Sequence, residues 1–346
     1  IVFLSETLDR QLRFESVTES RFEMSRQYIN QLKDGDLVNE VYLLVDKQLR
    51  ANRNASLFLS ADLRDCTGVV NARMWNVLEE RMQHFQPGNY VQAKGKVHLF
   101  QGTLQVILTY IEPVAADNLD PAEFQPQASQ DVQQLLGKLR EMLLGIENNE
   151  IRTLMECFLV DEALMEAFCK APAGVKTHHA YHGGLIEHVV NLMETAQRVA
   201  DLYPKADINL LLAGVFLHDI GKVRELGYEN EFVYTDEGQL LGHLIIGVEM
   251  LTEKIIAYQE MTGESFPREA ELRLKHMIVS HHGTYEFGSA RLPMTPEAVA
   301  LHHLDNLDAK VNEFTRFIED DLNSTSNWTP YSPRLQRKLF KGTTED

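Results

Sequence analysis

The stretch Phe216-Leu217-His218-Asp219-Ile220-Gly221-Lys222 closes an apolar run, INLLLAGVFL, that starts at Ile208. A run that is apolar on every side belongs in a core. It delivers a histidine and an aspartate side by side at its end. A capped core helix would account for the run alone. The histidine distribution asks for more, because eleven of the thirteen fall between His178 and His303. Imidazoles at that density are better explained by a metal site than by packing.

Working outward, the spacing of apolar residues predicts helices over 185–202, 208–222, 239–259, 268–281 and 296–320. His188 lies near the start of the first. His218 and Asp219 end the second, His243 begins the third, His281 and His282 end the fourth, and Asp305 lies in the last. Ligands contributed by separate helices are how bundles build metal sites. Imidazole holds a borderline metal, and a carboxylate such as Asp219 can bridge two ions. Oxygen ligands leave room for water and phosphate. Lys222 reads either as a phosphate contact or as a helix-end cation worth a few tenths of a kcal/mol. His178, His179 and His182 precede the first ligand helix beside Gly183-Gly184. His182 is the candidate to meet phosphate or protonate a leaving group, with a surface position as the alternative. Glu187 and His302 are candidates to steady neighbouring ligands, and Asp308 reads either the same way or as a solvent-facing residue. Glu286, Ser289 and Arg291 follow the paired histidines and are candidate substrate contacts.

Before this region the pattern is strand-like. VNEVYLLVDKQLR, SLFLSADLRD, GVVNARMW, VQAKGKVHLF and LQVILTYIEPV alternate in the manner of half-buried strands. NVLEERMQHF reads as a short helix after the third, and Gln101-Gly102 as a hairpin turn. Five strands with a helix after the third match an OB barrel. Its candidate nucleic-acid contacts are Phe58, Arg64, Arg73, Trp75, Lys94, Lys96 and Phe100, with Tyr110, because such barrels hold single strands with aromatic residues set among basic ones. Phe58 and Trp75 would serve equally as core, and the two lysines as plain strand-face charge.

The expected layout is multidomain, all-β followed by all-α. It comprises an N-terminal extension over 1–34, with a short helix from Glu19 to Leu32, and a barrel over 35–115. A Pro-containing linker over 116–130 follows, then connecting helices over 131–174 and a helical metal-binding unit over 175–322. A tail over 323–346 carries Trp328 and the basic residues Arg334, Arg337, Lys338 and Lys341. It reads as packed over the active site or as loose. The segment from Leu226 to Gly242 has room for a small hairpin.

Net charge is -18 over 346 residues, which argues against nucleic-acid binding across the whole surface. Residues 31–115 balance nine basic against nine acidic side chains, whereas 116–346 hold twenty against thirty-seven. A nucleic-acid surface therefore belongs on the barrel or in a local groove. Cys66, Cys157 and Cys169 show no paired spacing, which suits a reducing cytoplasm. No run of about eighteen apolar residues is present, so no membrane span is expected. The opening residues turn charged too early for a signal peptide.

The His and Asp series resembles the HD-domain superfamily of metal-dependent phosphohydrolases. HGGLIEH at His182–His188, SHHGTYEFGS at Ser280–Ser289 and LDNLDAK at Leu304–Lys310 are similar to motifs of the YhaM-type 3'-to-5' exoribonucleases, which place an OB-type domain ahead of the HD domain. The resemblance implies an N-terminal OB-fold barrel and an all-helical HD bundle. It implies that His188, His218, Asp219 and Asp305 hold one metal and that Asp219 bridges to a second. His243, His281 and His282 match the further ligand positions, and Lys222 the positive residue after the pair. The implied cofactor is two divalent ions, manganese first, with iron, cobalt or nickel also suited. The implied reaction is hydrolysis of the last phosphodiester of single-stranded RNA to a nucleoside 5'-monophosphate. Cleavage of single-stranded DNA and assembly into a homo-oligomer stay open. Two other readings remain: a nucleotide phosphohydrolase or cyclic-nucleotide phosphodiesterase on the same metal core, and a non-catalytic OB module with a helical scaffold.

Overall fold

The computed structural model describes residues 26–52, 56–125, 130–175, 181–228, 233–321, 323 and 326–343. Alternation in the first part produces five strands: β1 (Leu37–Ala51), β2 (Leu57–Asp65), β3 (Gly68–Trp75), β4 (Tyr90–Phe100) and β5 (Thr103–Pro113). They close a barrel in the order β1-β2-β3-β5-β4, with β4 also paired to β1. Only β3 and β5 run parallel, and the other pairs are antiparallel. The two-residue period sends Leu59, Ala61 and Leu63 inward, where they meet Val70, Ala72, Val91, Val97 and Val106. Gln101 and Gly102 join β4 to β5 with φ of 51° and 84°, the left-handed pair that a two-residue hairpin turn needs. The helix after β3 is a single turn, α1 (Glu79–Met82).

Two flanks of the barrel are more ordered than their sequences suggest. Ile29 and Leu32, expected in the N-terminal extension, belong to the barrel core. The expected helix over Glu19–Leu32 lies partly outside the described residues, and its last part is one 3-10 turn, Ile29–Gln31. The buried Asp65 carboxylate accepts from Ile29 N at 2.6 Å, which pins that turn to the barrel. In the linker, Phe124 is fully buried. The Arg26 guanidinium lies 4.4 Å from its ring centre, and the Tyr90 ring centre 4.7 Å away.

The helical half comprises α2 (Val132–Leu144), α3 (Asn149–Leu159), α4 (Glu162–Lys170), α5 (Gly184–Val199), α6 (Ile208–Leu217), α7 (Lys222–Glu225), α8 (Asp236–Thr262), α9 (Arg268–Ser280) and α10 (Pro296–Glu319). Strands β6 (Leu226–Gly227) and β7 (Val233–Tyr234) pair between α7 and α8 as the small hairpin expected there. One apolar cluster runs from Leu135 to Leu301, so the helices over 131–174 share a core with the rest. Helix α6, buried from Leu210 to Leu217, packs against α5, α9 and α10. Asp207 caps it, accepting from Asn209 N and Leu210 N. No described helix is long and apolar enough to cross a membrane.

Two glycines set the path into the site. Gly242 has φ 73° and interrupts α8 immediately before His243. Gly221 meets α8 backbone to backbone, and a Cβ there would lie 2.2 Å from the His243 carbonyl oxygen. The turn after His218-Asp219 thereby touches the segment that carries His243.

Candidate metal centre

His188 enters from α5, His218 and Asp219 from the end of α6, and His243 from α8 just past its break. His281 and His282 come from the end of α9, and Asp305 from α10. Their ligand atoms converge into three overlapping groups, each within 4.8 Å: His188 with His218 and Asp219, His218 with His281 and Asp305, and His243 with His281 and His282. Asp219 stands between them. Its Oδ2 lies 3.3 Å from His218 Nε2 and 3.9 Å from His188 Nε2. Its Oδ1 lies 3.5 Å from His243 Nε2 and 3.6 Å from His281 Nε2. Asp305 Oδ1 lies 3.3 Å from His188 Nε2.

Neighbouring oxygens fix how the imidazoles point. His218 and His281 each donate Nδ1–H to the carbonyl three residues back, Val215 at 2.7 Å and Ile278 at 2.8 Å. His188 Nδ1 donates to Asp308 Oδ2 at 2.8 Å, and His243 Nδ1 to Glu225 Oε1 at 3.0 Å. These oxygens accept, so the proton sits on Nδ1 and Nε2 keeps its lone pair. Four imidazoles therefore offer Nε2 to one small region. The His302 ring in turn donates to the His281 carbonyl at 2.8 Å.

The local electrostatics suit a cation. Burial opposes charge on Asp219, yet Lys222 and His218 beside it hold its carboxyl well below the usual range. Asp305 is likewise buried and lowered, chiefly by His188. Burial pushes His281 well below the ordinary histidine value and His282 also down, so both imidazoles are neutral. Burial would lower His188, but Asp305 and Asp308 raise it to about 9, so without a metal its Nε2 also carries a proton, which a bound cation would displace. Asp219 Oδ1 and His243 Nε2 are buried and make no hydrogen bond. Leaving such atoms unsatisfied costs about 1–3 kcal/mol each. A divalent cation would satisfy both, and a mixed imidazole and carboxylate set fits one.

On the barrel, Phe58 pairs with Trp75, and Ser60 with Arg73, across β2 and β3. The row continues from Arg73 to Ile107 and on to Lys96. The Phe58 and Trp75 ring centres are 5.0 Å apart, with Trp75 exposed and Phe58 half-buried. Lys94, Lys96 and Phe100 are exposed along β4, and the Lys94 ammonium lies 5.3 Å from the Tyr110 ring centre. Arg64 is half-buried at the far end of β2.

A family model described as HD domain matches residues 185–310, and one described as OB-fold nucleic acid binding domain matches 44–114. A 3'-5' exoribonuclease YhaM from Bacillus subtilis (strain 168) is 36% identical over 286 residues, covering 82% of this chain and 88% of its own. Its counterpart from Geobacillus sp. (strain WCH70) is 34% identical, covering 81% and 85%. The chain belongs to the YhaM 3'-5' exoribonuclease family. Among solved structures, the second OB-fold domain of replication protein A from Methanococcus maripaludis covers 27% of this chain and 98% of its own, at 18% identity and TM-score 0.21, too slight a likeness to bear on function.

Within this YhaM-family chain the remaining candidates fall in different places. Lys222 is at the centre, donating to Asp219 Oδ2 at 2.7 Å and to the Ala173 carbonyl at 2.6 Å. His182 is not in the converging groups; its ring meets Gln125 Oε1 and the Lys170 carbonyl, joining the linker to the entry of α5. His178 and His179 lie outside the described residues. Ser289 is buried, and its hydroxyl donates to the Arg291 carbonyl at 2.6 Å across the loop. Glu286 and Arg291 are exposed. Glu187 is buried and accepts from the Tyr181 hydroxyl. Glu225 was missing from the sequence-based set. Its one available signal is KVRE, which follows the HD pair after Ile220-Gly221 and sets a carboxylate, buried in the fold, three residues behind Lys222.

Proposed function

We propose that the chain removes nucleotides from the 3' end of single-stranded RNA, releasing nucleoside 5'-monophosphates, at a centre of two divalent ions, manganese by preference. The observation that carries this reading is the division of Asp219. One oxygen faces His218 and His188, and the other faces His243 and His281. A carboxylate so placed is suited to bridge two ions. His188, His218, Asp219 and Asp305 would hold one; Asp219, His243, His281 and His282 would hold the other. The relatives named as 3'-5' exoribonucleases supply the direction and the substrate.

When bound, the ions acidify water and offset charge on the phosphoryl oxygens. The protein's part is positional. Carbonyls and carboxylates behind His188, His218, His243 and His281 keep their Nε2 atoms aimed inward. Lys222 holds Asp219 with one N–H and Ala173 with another, which leaves the third for a phosphoryl oxygen of the substrate. Exposed Arg291 and Glu286, in the loop behind His282, are placed to meet the terminal nucleotide. On the barrel, Phe58, Trp75, Arg73, Lys94, Lys96 and Phe100 would hold the upstream strand, and tethering it there raises its effective concentration at the centre. A single strand of DNA would fit the same face. Three free cysteines suit a cytoplasmic setting.

Metal-loaded protein should digest RNA blocked at its 5' end and leave 3'-blocked RNA intact, with about two ions bound per chain. Equal digestion of the two substrates would overturn the direction. A chain that hydrolyses mononucleotides and no oligonucleotide would overturn the substrate.

A further inference from the structure

The tail folds into a structure of its own. Trp328 bridges Phe340 and Ser332 bridges Arg337, both antiparallel, so residues 327–332 run against 337–341 as a small hairpin. Thr329 N donates to the Leu339 carbonyl at 2.9 Å, and Lys341 N to the Asn327 carbonyl at 2.8 Å. Thr329, Leu335 and Leu339 are buried beneath it. Alternation turns the neighbours of these residues outward. Trp328 is 50% exposed and Phe340 53%, with ring centres 5.1 Å apart. Lys338 is exposed two residues before Phe340, on the same side by that alternation.

Charge separates this hairpin from the rest of the helical half. Residues 326–343 carry four basic side chains and no acidic one, in a half of the chain where acidic residues predominate. Two of the four are used to anchor it: Arg334 pairs with Glu313 and Lys341 with Asp321, each at 2.8 Å. Arg337 and Lys338 are exposed, and Arg337 Nε donates to the Leu335 carbonyl at 2.8 Å.

The hairpin also adjoins the barrel. Lys94, Lys96, His98 and Phe100 form an exposed row along β4 that ends at the Gln101-Gly102 turn. A Cβ on Gly102 would lie 3.6 Å from Asn323 Nδ2, and the Asn323 carbonyl accepts from the Lys341 ammonium. The turn that ends the basic and aromatic row on β4 thus lies beside Asn323, to which the hairpin is tied through Lys341. Exposed aromatic rings beside exposed cations are what a single strand needs, since every base has a stacking face and every linkage a negative charge.

We propose that the C-terminal hairpin, residues 327–341, extends the outer face of the barrel as a second platform for single-stranded RNA, with Trp328 and Phe340 stacking on bases and Arg337 and Lys338 meeting phosphates. This rests on the RNA reading above.

The test uses the full chain with metal removed by chelation, so that a fluorescent 20-nucleotide oligouridylate binds without being cut. Trp328→Ala should raise its dissociation constant by about five- to a hundredfold, the range of one base–aromatic stack. Arg337→Glu with Lys338→Glu should lower the slope of log affinity against log salt by at least about one. In a Trp75→Phe background, oligouridylate should quench the emission of Trp328, a readout that does not require a hairpin substitution. Wild-type affinity and slope in these variants, together with unquenched Trp328, would overturn the platform while leaving the RNA reading in place. A wild-type chain that binds no oligouridylate would overturn the RNA reading and the platform with it.

Discussion

Glu225 Oε1 accepts two hydrogen bonds from His243, one from the backbone N and one from ring Nδ1, each at 3.0 Å. One carboxylate oxygen thus holds both the position and the tautomer of a single imidazole. Burial opposes its charge, but the bonds from His243 hold its carboxyl below the ordinary value. Glu225→Ala should weaken metal binding by about ten- to a hundredfold, the usual effect of removing a carboxylate behind a ligand histidine. Glu225→Gln keeps an accepting oxygen and should retain more. Calorimetric titration with manganese would compare them, and wild-type affinity in the alanine variant would sink the assignment.

Asp219→Asn replaces one carboxylate oxygen by an N–H donor, which cannot ligate a cation. Lys222 loses its anionic partner in the same change. Metal content should fall, and RNA turnover should drop by more than about a hundredfold. Metal analysis and a labelled-RNA ladder check this together. Unchanged turnover would remove the catalytic reading and favour a non-catalytic binding protein.

Gly221→Ala places a methyl group 2.2 Å from the His243 carbonyl oxygen, and a second contact of 2.8 Å would fall on Gly247 N. Both neighbours are backbone, so relief requires α8 to move. The expected loss is at least about 1–3 kcal/mol of stability, as for other overpacked sites. Weaker metal binding should accompany it, because His243 moves with α8. Urea denaturation of the metal-free chain measures the first effect separately from the second.

Glu297 is fully buried at the start of α10, ion-paired to Arg273 at 2.7 Å and accepting from Asp207 N at 2.8 Å. Burial would raise its pKa, but Arg273 and the backbone donors together bring it below the ordinary glutamate value. A carboxyl lowered on folding contributes stability above its unfolded pKa and loses it as pH falls through the folded value. Stability should therefore fall on acidification beginning near pH 4–5, about the ordinary glutamate range. Glu297→Ala should cost about 3 kcal/mol at neutral pH, with a flatter acid limb. Denaturation midpoints between pH 3 and pH 7 would show whether the two curves approach each other, and parallel curves would count against the pair.

Much of the architecture was legible because its signals are local. The apolar run from Ile208 and the HD pair at its end predict a core helix that presents ligands, and α6 does so. Two-residue alternation located the five strands, and Gln101-Gly102 their hairpin. Thr295, a residue type suited to the start of a helix, accepts from Ala298 N and caps α10. Phe124 was not readable, because a lone aromatic in a polar segment does not say what will cover it. The surroundings of His182 and Ser289 were not readable for a related reason. Their motifs place them near the centre in sequence, while packing turns the first to Gln125 and the second to the Arg291 carbonyl.

The sequence by itself determined which side chains can ligate a cation and which helices carry them, since residue type and helical period are properties of short segments. Tertiary structure alone decided that Asp219 turns one oxygen to His218 and the other to His243, that Glu225 stands behind His243, and that the C-terminal hairpin adjoins the barrel. Most of those relationships join residues far apart in the sequence. They exist only where distant segments meet, the backbone of Gly221 against α8 and Gly102 beside the Asn323 side chain, and no local pattern encodes such a meeting.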